Sequence, residues 1–356
     1  MSCQSPEAAN RAFKSAGILR QAVKKYLNSL SLKENDLILV ASSGGADSLA
    51  LAKATQLESK TIGKSLRSKG RTVQVGAVVI DHQLQENSEI VAEEAAEQLQ
   101  QMGLNPVIVE KVDVNLANNL GLEAAARNAR YEIFEEVASN LQAKAVLLGH
   151  TKNDQAEQVI LGLARGSGAK SLAGMPKSRG IFHRPLLEDV KRRDCELACY
   201  HWDLEFWEDP TNTVLFPNEK YPLRTRVRSL LLPRMEDILG GHIEDNLART
   251  AELLRIDDEA LDFYAEKLLK NASMRSNDYA IVLDAPVLRA APRGVILRTL
   301  KLAMKEVFDR NFPEVMVNSK HVFALEDLLQ TGIGEVKLPN NFYVRINNDR
   351  MIFSKD

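Results

Sequence analysis

Asp36-Leu37-Ile38-Leu39-Val40-Ala41 runs directly into Ser42-Ser43-Gly44-Gly45-Ala46-Asp47-Ser48, and Leu49, Ala50, Leu51 and Ala52 follow without a breaker. The apolar run reads as a buried strand, the polar run as a turn, and the third stretch as the start of a helix. A helix entered this way leaves its first amide N–H groups without intrahelical partners, and such groups attract anions. Gly44 and Gly45 reach backbone angles closed to other residues, while Ser43 and Ser48 offer hydroxyl donors. Asp47 is a carboxylate where phosphates are expected, which makes sense when a cation such as Mg²⁺ lies between them. A tight corner with Asp47 or Ser43 as a helix cap is the blander alternative. Neither GxxxxGK[ST] nor GxGxxG occurs, so the Walker loop and the dinucleotide fingerprint do not apply.

A chain of 356 residues can bury a large core and predicts two or three domains. Hydrophobic residues at 45% and charged ones at 26% fit a soluble protein, and no apolar run is long enough to span a bilayer. A cytoplasmic protein is the simplest reading. Cys3, Cys195 and Cys199 make neither a disulfide framework nor a metal motif. Cys195 and Cys199 read as packing residues away from the site. The net charge of −2 hides an uneven distribution. Arg165, Lys170, Lys177, Arg179, Arg184, Lys191, Arg192 and Arg193 meet only Glu188 and Asp189, and Lys220, Arg224, Arg226, Arg228 and Arg234 follow. Local basic faces on a near-neutral protein suit a phosphate-rich partner met by one surface.

Residues 15–30 read as an amphipathic helix ahead of the first strand. Residues 72–80 form a second strand ending at Asp81 and His82, 106–112 a third, and 145–148 a fourth ending at Gly149 and His150. Helices between them predict a doubly wound, mainly parallel sheet whose strand ends gather polar residues on one edge. Asp154-x-x-Glu157 reads alone as a capping box, but its place on the edge shared with Asp47 makes Asp154 a second candidate for Mg²⁺. Residues 162–174 are a basic, glycine-rich stretch suited to a lid or a phosphate nest. The expected division is a catalytic domain over 1–215 with a leading helix in 1–35, a linker and long helix over 216–275, and a small α+β domain over 276–356. Leu247, Leu254, Leu261 and Leu268 stand seven apart on the long helix. They suit packing within the chain better than a coiled-coil homodimer, because Asp257 or Asp258 interrupts the companion positions.

The loop resembles SGGxDS of the ATP-pyrophosphatase, or PP-loop, superfamily. Further stretches narrow the resemblance: Ile80-Asp81-His82-Gln83-Leu84, Glu123-Ala124-Ala125-Ala126-Arg127-x-x-Arg130-Tyr131, and GHTKNDQAE from Gly149 to Glu157, then RGSGAKSLAGM from Arg165 to Met175. His183-Arg184-Pro185-Leu186-Leu187, Glu208-Asp209-Pro210-Thr211-Asn212 and Arg224-x-Arg226-x-Arg228 extend it. Together they are similar to the tRNA(Ile)-lysidine synthetase family over nearly the whole chain.

That resemblance implies a ligase that uses ATP and free lysine to replace O2 of the wobble cytidine in the CAU anticodon of tRNA(Ile), changing decoding from AUG to AUA. It implies nucleotide contacts at Ser43, Gly44, Gly45, Ala46, Asp47, Ser48, Asp81, His82, Arg127 and Gly149. Catalysis would fall to Asp47, Asp154 and His150, with Mg²⁺ on Asp47 and Asp154. The tRNA would meet Arg130, Arg165, Lys170, Arg184, Arg224, Arg226 and Arg228. Two departures stand out: Asn153 replaces a frequent second aspartate, and Thr225 and Ser229 interrupt the arginine-rich segment. The competing reading is a PP-loop tRNA thiolase, which needs a reactive cysteine pair or a cluster.

Overall fold

Leu37 to Ser42 form strand β1 because the run is apolar on both faces: Ile38 and Val40 enter one buried cluster, Leu37 and Leu39 another. The computed structural model describes residues 5–67, 73–81, 88–112, 122–166, 168–207, 221–274, 281–311 and 318–355. The chain divides into two compact units, Met1–Glu252 and Leu253–Asp356. The first unit thus runs on past residue 215, where the sequence placed the end of the catalytic domain.

In the first unit, α1 (Pro6–Ser29) precedes β1, which leads into α2 (Ala46–Arg67). Then come β2 (Gln74–Asp81), α3 (Ser88–Gln101), β3 (Val107–Lys111), α4 (Leu122–Asn140), β4 (Ala145–Leu148) and α5 (Lys152–Ala164). The rest comprises α6 (Ala169–Leu172), β5 (Ser178–Arg179), β6 (Phe182–His183), α7 (Arg192–His201), α8 (Leu223–Arg226), a π-helical turn at Val227–Leu231 and α9 (Leu232–Leu239). The strand order is β3-β2-β1-β4-β6-β5. Every pairing is parallel except that of β5 with β6. Residues from α1, α2, α3 and α7 cover one face and residues from α4 the other, which is the doubly wound arrangement expected.

Helix α10 (Ile243–Ala272) spans the division between the units. Its fully buried row is Ala251, Asp258, Ala265 and Ala272, while the four leucines spaced seven apart are half-buried. Asp258 does interrupt the apolar pattern, and Arg298 compensates, its guanidinium 2.6 Å from Asp258 and 2.8 Å from Asp262. The second unit continues with β7 (Ser273–Met274), β8 (Ile281–Asp284), α11 (Ala285–Arg289), α12 (Arg293–Asn311), α13 (Ser319–Thr331), β9 (Gly334–Leu338), β10 (Phe342–Asn347) and β11 (Arg350–Lys355). Its antiparallel sheet, ordered β7-β8-β11-β10-β9, packs Val344, Met351 and Phe353 against Leu300, Met304 and Leu325 from α12 and α13.

Candidate active site

The chain leaves β1 for β2 on one side and later returns to β4 on the other, so the ends of β1 and β4 flank the crevice where such sheets bind ligands. Gly44 there has φ +75°, a backbone angle that favours glycine. The Ser43 N–H donates to Ser48 Oγ at 3.2 Å and the Gly44 N–H to Ser42 Oγ at 3.3 Å. Ser48 Oγ in turn donates to the Gly45 carbonyl at 2.9 Å. The Ser48 hydroxyl is engaged in shaping the turn, while Ser43 stays exposed. From β4, Gly149 closes on the loop so tightly that a Cβ there would lie 3.1 Å from the Ser48 nitrogen.

Asp47 occupies the first turn of α2 with a fifth of its side chain exposed, 21%. Burial pushes its carboxyl up to about 7, with the Arg192 guanidinium opposing and Asp154 adding to the rise. Arg192 Nη1 is 3.9 Å from Oδ2, and Oδ1 is buried with no hydrogen-bond partner among the described residues. Below the loop lies α7. Its Cys199 thiol donates to the Ala46 carbonyl at 3.5 Å, and Cys195 lies buried one turn before it on the same helix. The two cysteines thus form the floor of the site, contrary to the expectation that they lie away from it. Burial pushes the Cys199 thiol up to about 12 and the Cys195 thiol well above its ordinary range, so both are inert as nucleophiles.

Helix α5 carries a second group of charges. Asp154 Oδ2 accepts from the Thr151 N–H at 2.7 Å and hydroxyl at 2.9 Å, closing a capping box with Thr151 rather than with Glu157. Asp154 Oδ1 accepts from Arg224 Nη2 at 2.8 Å and Arg228 Nη2 at 3.4 Å. Glu157, fully buried one turn on, takes Arg224 Nε at 2.6 Å and Arg228 Nε at 2.5 Å. The π-helical turn ends against Pro233, which lacks an N–H and crowds the carbonyl four residues back, at Ser229. Arg224 and Arg228, expected to grip the tRNA backbone, are turned inward onto these acids. The Arg226 side chain makes no hydrogen bond or ion pair among the described residues, and it is half-exposed.

Between the two groups stands His150. Its Nδ1 is buried and has no partner among the described residues. Burial first, then Arg184, Arg224 and Arg127, push it down to about 3 despite the nearby Asp154. Arg184 is only 5% exposed and braces the interior, donating to the Pro176 carbonyl at 2.9 Å and the Tyr131 hydroxyl at 3.2 Å. It is an internal strut where a surface contact was expected. Arg127 lies over the Tyr131 ring at 5.5 Å, and burial with Arg127 close by lowers Arg130. Arg165 and Lys170 are exposed at the end of α5 and on α6. Asp81 is buried at the end of β2; His82 and Glu208–Asn212 lie outside the described residues. In the stretch read as a lid or nest, the far end is clamped: Gln155 accepts from the Met175 N–H at 2.7 Å and donates to its carbonyl at 3.2 Å.

Glu157, Arg192 and the cysteine pair read from the sequence as a helix cap, one charge of a basic run and packing residues, not as parts of the site. A signal existed for each: an i, i+3 acid pair on one helix face, and cysteines four apart on a helix that follows a basic run.

The PP-loop domain family matches residues 17–235, more than half of the chain. The tRNA(Ile)-lysidine synthase of Thermobifida fusca (strain YX) is 40% identical over 341 residues, covering 95% of this chain and 97% of that protein. That of Leifsonia xyli subsp. xyli (strain CTCB07) is 40% identical over 313 residues, covering 87% and 88%. This chain belongs to the tRNA(Ile)-lysidine synthase family. Among solved structures, the U34-tRNA thiolase NcsA of Methanococcus maripaludis, with its 4Fe-4S cluster, superposes with a TM-score of 0.51 at 18% identity, covering 67% of this chain and 78% of that one. That likeness concerns the fold alone.

As a PP-loop member the chain uses ATP. The residues fit a nucleotide with a divalent cation: the Gly44 turn at the N-terminus of α2 suits phosphates, and Asp47 presents a buried oxygen without a partner. No group of three or more His, Cys, Asp or Glu side chains suited to a metal occurs among the described residues, so phosphate oxygens and water would complete the coordination of any cation. Asn153 accepts from the Arg192 N–H at 2.9 Å and so caps α7.

Proposed function

We propose that this chain joins free lysine to C2 of the wobble cytidine in a CAU-anticodon tRNA(Ile), with ATP cleaved to AMP and pyrophosphate, in the cytoplasm. The observation that carries the reading is Asp47, a largely buried carboxylate with one oxygen lacking a partner among the described residues, in the first turn of the helix that follows the phosphate loop. Cytosine C2 is a urea-like carbon whose oxygen leaves badly. Attack of O2 on the α-phosphorus expels pyrophosphate and makes that oxygen part of AMP, a good leaving group. The lysine Nζ, freed of its proton, then adds at C2, and AMP departs.

Positioning and charge neutralisation dominate chemistry of this kind. The loop amides and the start of α2 receive the phosphates, and Arg127 and Arg130 supply a cationic wall. Mg²⁺ held by Asp47 would neutralise phosphate charge. Asp154 can join that metal only when Arg224 and Arg228 release it. His150, neutral near pH 7, serves as a hydrogen-bonding group rather than as a proton acceptor. Arg165, Lys170 and Arg226 meet tRNA phosphates.

The test supplies ATP, Mg²⁺, unmodified CAU-anticodon tRNA and radiolabelled lysine. Label in the tRNA with matching AMP release is expected. AMP release indifferent to lysine, with no label incorporated, overturns the ligase and restores the thiolase reading.

A further inference from the structure

The antiparallel sheet of the second unit buries one face, and the other carries charge. Val344, Met351 and Phe353 enter the core, whereas Tyr343 and Ile352, which alternate with them, are half-buried and Arg345 is exposed. The strand register sets these outward side chains beside one another. Tyr343 on β10 stands directly opposite Lys337 on β9, and Arg345 stands between Glu335 on β9 and Ile352 on β11. Lys337 Nζ lies 5.5 Å and the Arg345 guanidinium carbon 5.1 Å from the centre of the Tyr343 ring, so one aromatic gathers two cations. Glu335 answers one of them, its Oε2 2.6 Å from Arg345 Nε. The side chains of Lys337 and of Arg350, exposed on the same face opposite Asn347, make no hydrogen bond or ion pair among the described residues.

Two like charges held against one ring repel each other, and a single carboxylate does not cancel both. An anion arriving between them relieves that repulsion. The half-buried ring with Ile352 beside Arg345 suits a flat base, and cations on flexible stems suit the phosphate joined to it. Exposed aromatics on an open sheet take unpaired nucleotides in this way, because the bases of a duplex already stack on one another. We propose that this sheet face binds an unpaired nucleotide of the tRNA, its base stacked on Tyr343 and its phosphate held by Lys337 and Arg345. This rests on the reading of tRNA as the substrate. The nucleotide is one other than the wobble cytidine, which must reach the phosphate loop of the first unit. Both cations are exposed, so a base that displaces one from the ring leaves it within reach of the phosphate.

The test measures binding of a CAU-anticodon tRNA(Ile) transcript to the full chain over a range of salt, with lysine incorporation and Tm followed in parallel. Tyr343→Leu keeps apolar bulk and removes the aromatic face, whereas Tyr343→Phe keeps that face. For Tyr343→Leu we expect Kd and KM for tRNA to rise about tenfold, with kcat at saturating tRNA and KM for ATP unchanged. Tyr343→Phe should stay within about twofold of the parent. Lys337→Gln combined with Arg345→Gln, both outside the core, should reduce the slope of log K against log salt by about 0.7, the share of one single-strand phosphate. A folded Tyr343→Leu protein with the parent's Kd and KM overturns the proposal. So does a Tyr343→Phe protein as impaired as Tyr343→Leu, which would trace the effect to the hydroxyl. An unchanged slope in the double variant overturns it as well, whatever the stability of Tyr343→Leu. If the double variant alone weakens binding, the face meets backbone phosphates without stacking and the unpaired base is wrong. Altered sedimentation of free Tyr343→Leu, with tRNA affinity intact, would make the face an interface between copies instead. A parent that neither binds this tRNA nor takes up lysine removes the substrate reading itself, whereas one that does both beside an unaffected Tyr343→Leu removes only the stacking site.

Discussion

The phosphate loop and the charged group on α5 lie near each other at the same sheet edge, yet they are built in opposite ways. The loop is seven consecutive residues whose side-chain hydroxyls bond within six positions along the chain, with the Trp207 N–H and the Cys199 thiol reaching the Gly44 and Ala46 carbonyls from afar. The acid–arginine group joins residues 67 to 74 positions apart. In the loop, local backbone geometry limits what each side chain can reach, so residue type and order already say which groups face one another. In the cluster the partner decides: Asp154, expected to be a metal ligand, is a structural anion where two guanidiniums hold it.

The largest expected effect tests the local half of this contrast. Asp47→Asn should reduce lysine-dependent AMP release by about 10³-fold while leaving tRNA affinity unchanged. Loss of tRNA binding with normal ATP turnover would move Asp47 out of the nucleotide site. The same variant carries a pH signature. With its carboxyl pushed up to about 7, folded Asp47 keeps a proton that the unfolded chain has already lost above about pH 4. The stability this confers is complete below about pH 4 and is lost as pH rises through 7. Without nucleotide and metal, Asp47→Asn should match the parent in Tm near pH 4 and exceed it by several degrees near pH 8. A gap that is constant with pH would contradict the burial argument.

The distant half is tested by Glu157→Gln. Glu157 is fully buried and its two oxygens take three guanidinium hydrogen bonds. Removing the charge leaves two arginines facing an amide, which should destabilise the first unit by about 3–5 kcal/mol, read from the denaturant midpoint. A loss below about 1 kcal/mol would mean that the arginines find solvent easily and that the cluster is no clamp.

The parallel sheet was legible because β1, β2 and β4 are apolar runs, each ended by polar residues, and the alternation with helices admits few topologies. The loop was legible for the same local reason. The inward turn of Arg224 and Arg228 was not, since an arginine-rich segment has the same composition whether it faces a phosphate or a carboxylate. Nor was the place of Cys199 under Ala46. A C-x-x-x-C spacing states that two sulfurs share a helix face, and only the crossing of α7 under α2 tells which loop residues that face supports. On α10, leucines seven apart suggested the seam, whereas the small residues and Asp258 form the buried row because Arg298 supplies the missing charge.

Arg226 carries the smallest expected effect and the sharpest contrast with its neighbours. It sits two residues from both Arg224 and Arg228, in the same short helical segment, so composition and local field are nearly shared. What differs is direction: the flanking guanidiniums meet Asp154 and Glu157, and that of Arg226 has no such partner among the described residues. Arg226→Ala should therefore change the denaturant midpoint by less than about 0.5 kcal/mol equivalent. It should weaken tRNA binding uniformly across sequences and reduce the slope of log K against log salt by about one unit, the signature of one lost phosphate contact. If Arg226→Ala leaves that slope unchanged while Arg228→Ala reduces it without costing stability, the inward and outward assignments of this segment are reversed.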